Sequence, residues 1–159
     1  MIGLLIDALV AALDALTGTG ELLDGIATVQ AGDEMPRETA DHPLVTVDLL
    51  RDPAGVDGYQ TGDGIEAKIE LACRLYVCSL PKGNSPARAA LDLYWSSSAG
   101  AQAGLKLALR QIKALTVEDT KFVLSVGDTR PIRKSTQPQG RWTYGLEVPL
   151  VARAFVGRQ

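Results

Sequence analysis

Histidine is nearly missing from this sequence: His42 is the only one in 159 residues. A lone imidazole excludes histidine-rich metal sites and the H-E-x-x-H metalloprotease pattern. His42 precedes Pro43 in a charged loop, which pushes it towards extended backbone. No nucleophile stands near it in a recognisable motif. Cysteine is scarce too. Cys73 and Cys78 are five residues apart within one strand pattern, so their side chains fall on opposite faces and cannot bridge while the strand stays regular. Without a C-x-x-C pair they read as small packing hydrophobes rather than metal ligands. A Gly-rich phosphate loop and a nucleophile elbow are absent as well; Gly18-Thr19-Gly20 follows a helical pattern, not a strand. The expectation is therefore no catalytic residue, no cofactor and no metal, that is, not an enzyme.

Other absences narrow the class further. There is no basic excess: the formal net charge is −3, which speaks against coating nucleic acid and against sequence-specific recognition of it. No apolar run approaches the ~20 residues of a membrane span. The opening MIGLLIDALVAALDALTG lacks a basic leader and is interrupted by Asp7 and Asp14 at amphipathic spacing, so it reads as a helix rather than a signal peptide. With 46% hydrophobic and 22% charged residues, the chain is expected to form a single soluble domain over residues 1–159.

What is present is strong strand patterning. From Ile65, the residues Ile65, Ala67, Ile69, Leu71, Cys73, Leu75 and Val77 take one face, and Glu66, Lys68, Glu70, Arg74 and Tyr76 the other. This is the period of a half-buried antiparallel strand, roughly 50 Å long at ~3.3 Å per residue. Leu44–Leu50 predicts its hairpin partner. Between them the tip, 51–64, carries Pro53, four glycines and Asp52, Asp57 and Asp63. Acidic residues among glycines invite comparison with a calcium loop, but the closing glutamate and the residue order fail. Further elements follow by pattern: a helix over Ile2–Leu16, strands over Ile26–Ala31, Thr120–Val126 and Trp142–Val156, and a loop over Gly127–Gly140. Ser85 and Pro86 open a predicted helix that keeps phase from Ala87 to Leu115, kinked or broken near Ser97–Gly100. Pro149 has no ladder donor, which places its strand at an edge or a bulge.

Together these give an α+β expectation: an antiparallel or mixed sheet of four to five strands, packed on the N-terminal helix and a long central helix, with a projecting β-hairpin. The order of elements resembles the tail terminators and related neck or tail-completion proteins of long-tailed bacteriophages. The resemblance is carried by MIGLLIDALVAALDAL, HPLVTVDLL, IEAKIELACRLYVCS and YGLEVPLVARAFV. It implies a structural protein that caps the tail tube as a ring, commonly a hexamer, ending tube growth and forming part of the head–tail interface. Its partners would be its own copies, the tail tube protein and a connector or neck protein, in the tail–neck region of a virion assembled in the host cytoplasm. Assembly contacts are expected at the two loop tips: Asp57, Tyr59, Gln60 and Asp63 in the hairpin, and Arg130, Arg133 and Lys134 in the second loop. Opposite charge lets one protomer's tip meet its neighbour's. Two other readings stand beside this one: a monomeric or dimeric α+β binding domain using the basic 128–141 stretch, and an enzyme of unidentified type.

Overall fold

The computed structural model describes residues 2–32, 43–50, 58–61, 64–78, 104–136 and 141–157, with backbone alone at 58–61, 64–67, 78, 133–136, 141–144 and 155–157. Its elements run α1 (Ile2–Asp14), β1 (Thr28–Ala31), β2 (Leu44–Leu49), β3 (Gly58–Thr61), β4 (Gly64–Cys78), α2 (Leu105–Ile112), β5 (Ala114–Val117), β6 (Thr120–Val126), β7 (Arg130–Thr136) and β8 (Arg141–Gly157). All the strands join one sheet, ordered β1-β2-β4-β8-β6-β5, with β3 added to β4 and β7 to β8. Among the described strands only β1 and β2 run parallel.

The two long amphipathic strands pair with each other. β4 and β8 form one antiparallel ladder from Gly64↔Gly157 to Cys78↔Thr143. On its far side β4 carries β2 and β3; on its far side β8 carries β6 and β7. The strand lengths that suggested a free arm are thus satisfied within the chain, and the sheet curls into a half-barrel around the ladder.

Odd-numbered β4 residues and even-numbered β8 residues supply the core. Ile69, Leu71, Cys73 and Leu75 meet Leu146, Val148, Leu150 and Ala152 on the face that α1 covers with Leu5, Leu9 and Leu13, and α2 with Leu105, Ala108 and Leu109. α1 and α2 therefore lie on one face. The opposite face is also buried at its centre, where Leu44, Thr46, Ala72, Tyr76 and Glu147 are almost wholly inaccessible.

The α+β expectation with four to five strands and a long central helix is corrected in three ways. Among the described residues the sheet has eight strands, and strand residues outnumber helical ones. The helix predicted to reach Leu115 ends at Ile112, because Lys113 adopts φ 60° and β5 starts at Ala114. Its predicted beginning, with Ser85, Pro86 and the break at 97–100, lies outside the described residues, as do His42 and most of the hairpin tip. Lastly, the second long loop contains strand β7, and the tip contains strand β3.

Pro149 sits opposite a bulge, as its missing donor requires. The ladder runs Val126↔Leu150 and then Arg130↔Glu147, so three residues of the β6–β7 edge face two of β8. Gly127 donates its N–H to the Pro149 carbonyl at 2.7 Å. A Cβ on Gly127 would stand 2.9 Å from the proline Cγ, so glycine lets the two strands close there.

The β5–β6 hairpin turns on Glu118 and Asp119, both left-handed at φ 47° and 66°. Two positive φ values in a two-residue loop make a type I′ turn, which favours Asn-Gly. Replacing the pair, Glu118→Asn with Asp119→Gly, is expected to raise stability by roughly 0.5–1 kcal/mol through relief of backbone strain. An unchanged or lower urea midpoint would contradict that assignment of strain.

Candidate functional site

One set of charged groups that the fold brings together lies on the second face, in rows set by register. One row crosses four strands: Thr46 of β2 opposite Arg74 of β4, Arg74 opposite Glu147 of β8, and Glu147 opposite Arg130 of β7. Arg74 donates from Nε to Glu147 Oε2 at 2.7 Å. Arg130 pairs through its terminal guanidinium nitrogen with the other oxygen, Oε1. The Glu147 side chain is 3% exposed, that of Arg74 15% and that of Arg130 64%. The next row reads Leu44, Tyr76, Gly145 and Ile132.

The Glu147 carboxylate has a separate guanidinium on each of its oxygens. The three side chains carry one net positive charge, and the exposed Arg130 keeps donors on the solvent side. The arrangement thus clamps three strands and presents a cation at the sheet margin. It also fixes register: a slip of one residue would drive Glu147 into the apolar face between Leu146 and Val148. Cys73, beneath the same strand on the core face, is a free thiol whose pKa is driven upward by burial, offset in part by the Arg74 charge. It is inert as a nucleophile. Among the described residues no group of His, Cys, Asp and Glu is placed to hold a metal ion.

The residues expected at assembly contacts lie in several parts of the sheet. Arg130 is the exposed end of the charged row. Arg133 and Lys134 lie in β7 opposite Tyr144 and Thr143. Tyr59 and Gln60 lie in β3 opposite Glu66 and Ile65. Asp57 and Asp63 are outside the described residues. β3 and β7 flank opposite ends and opposite sides of the β4–β8 ladder, about 23 Å apart along β4 at ~3.3 Å per residue. One chain does not bring the two sets together.

No family model and no curated protein matches the chain.

Arg74 and Glu147 were missing from the sequence-derived site. Both were visible as charges on the polar faces of their strands, but 73 residues separate them. Only the register joins them.

Proposed function

We propose that this chain is a structural virion-assembly protein that caps the tail tube of a long-tailed bacteriophage as a ring, ending tube growth and forming part of the head–tail interface. The sequence resemblance supports this reading, and one feature of the fold carries it: the composition and exposure of α1. In IGLLIDALVAALD only the two aspartates are charged. Leu5, Leu9 and Leu13 fill the core, yet Gly3 and Ala11 face solvent and Leu4 is 45% exposed. A helix apolar nearly all round belongs inside a larger body. A ring supplies that body, because head-to-tail closure buries one surface of each copy against a different surface of the next.

On this reading the chain does no chemistry. Its partners are its own copies, a hexamer by resemblance, with the tail tube protein on one side and a connector or neck protein on the other. The Arg74–Glu147–Arg130 row serves as a brace that keeps the sheet rigid while its margins make contacts.

Light scattering and negative-stain microscopy test the proposal, on the chain alone and with the tail tube protein of its own genome. The expected result is a ring of defined size that binds tube ends. Leu4→Glu should leave the circular dichroism spectrum intact and reduce ring formation at least tenfold. A chain that stays monomeric at high concentration and ignores tube ends would overturn the assignment, as would a Leu4→Glu variant that assembles normally.

A further inference from the structure

The outer margin of β7 carries an inference that is independent of the ring. In an antiparallel strand the N–H and C=O of one residue point to the same side, and the side alternates along the chain. The Pro149 carbonyl accepts from Gly127, so the odd residues of β8 turn their backbone groups towards the β6–β7 edge. The other side of the sheet agrees: Leu50 donates to the Glu70 carbonyl, which turns even β4 residues towards β2 and odd ones towards β8. By register, Glu147, Gly145, Thr143 and Arg141 then exchange hydrogen bonds with Arg130, Ile132, Lys134 and Thr136. Pro131, Arg133 and Ser135 point theirs away from β8.

On that outward side no strand pairs with β7 among the described residues. Among the described residues nothing pairs with the carbonyls of Pro131, Arg133 and Ser135 or with the N–H groups of Arg133 and Ser135. The one residue of β7 that lacks an N–H, Pro131, stands at an outward position, where no ladder bond is lost. Pro131 and Arg130 are both exposed. From Arg130 to Arg141 the sequence carries Arg130, Arg133, Lys134 and Arg141 and no acidic residue, in a chain whose net charge is −3.

We propose that the outer edge of β7, residues 131–135, receives an extended acidic peptide segment of a partner protein as an added strand. Backbone groups of Arg133 and Ser135 would hold the peptide, and the positive charge of the 130–141 stretch of sequence would select its sign. A second copy of β7 is a poor occupant, because pairing like with like sets arginine and lysine against arginine and lysine. The same charges with Pro131 guard the edge against self-association.

The test uses a seven-residue synthetic peptide alternating valine and glutamate, its N-methylated analogue, and a single-stranded oligothymidylate as a polyanion without strand-forming backbone. Binding is followed by fluorescence anisotropy and by hydrogen exchange of the protein's amides. The plain peptide is expected to bind and to slow exchange at Arg133 and Ser135 at least tenfold. Blocking its amides by methylation should abolish this. Arg133→Glu with Lys134→Glu should weaken binding at least tenfold while the fold, read by circular dichroism, stays intact. The proposal is overturned if the peptide does not bind. It also fails if the methylated analogue binds equally well, or if oligothymidylate binds as tightly and neither amide gains protection, which would mark a general polyanion contact.

Discussion

Glu147→Gln is expected to destabilise the fold by about 3–5 kcal/mol, the usual consequence of removing one partner from a buried ion pair. The glutamine still accepts a hydrogen bond, but it no longer neutralises Arg74, whose side chain is only 15% exposed and lies in the adjacent strand. The penalty comes from a cation left behind in the sheet rather than from the lost attraction. Two further variants separate these effects. Arg130→Ala removes the pair to the second oxygen, but that guanidinium is 64% exposed and water screens it, so about 0–1 kcal/mol is expected. Arg74→Met combined with Glu147→Leu removes both buried charges and should recover most of the loss. Urea midpoints at constant slope decide the matter. A Glu147→Gln loss below ~1 kcal/mol, or a double variant as unstable as the sum of its parts, would show that the row contributes little as a buried unit.

The same residues show how far the sequence could be read. Alternation marked β4 from Ile65 onward, Thr120–Val126 matched β6, and the helix expected from Ile2 matched α1. In each case local period and burial agree. Pro149 announced its bulge because a missing N–H is a local fact. The helix end at Lys113 and the turn at Glu118-Asp119 gave no such notice. All three are left-handed without being glycine or asparagine, so the residues that normally flag such backbone are absent. Leu115 compounded the error, since it continues the helical spacing of Ile112 while belonging to β5. β7 was hidden for another reason. RPIRKST has a proline and three cations over seven residues, a poor strand on its own, and it becomes one by pairing with β8. The charged row was legible as residue types and illegible as a site, because its contacts depend on which strand lies beside which.

Gly145 shows how tightly that neighbourhood is built, and its substitution carries the other large expected effect. A Cβ there would stand 2.5 Å from the Leu75 carbonyl oxygen, 2.9 Å from Tyr76 Cδ1 and 3.0 Å from Ile132 Cγ1. Two of these neighbours are side-chain atoms, although Tyr76 is fully buried and has nowhere to retreat. The first is backbone of the central ladder and moves only with β4. Gly145→Ala is therefore expected to cost at least the ~3 kcal/mol at the upper end of ordinary overpacking. For a chain of 159 residues that lowers the melting temperature by roughly 6–12 °C. Two other glycines calibrate the result. At Gly127 the obstruction is mainly the Pro149 ring, so Gly127→Ala should fall between. Gly3 in α1 has nothing within 4 Å of an added Cβ, and Gly3→Ala should stabilise by up to ~1 kcal/mol. Melting curves that place Gly145→Ala within ~2 °C of the parent chain would sink the close-approach argument. The ranking also bears on the margin of the sheet. Gly145 lies two residues from Glu147 in β8 and opposite Ile132 in β7. Pushing β8 away from β4 at this point must also loosen the Arg130 pair, and with it the alignment of the β7 edge. A loss of acidic-peptide binding larger than the loss of stability predicts would then follow in Gly145→Ala, but not in Gly127→Ala, whose strain falls at the bulge before β7 begins.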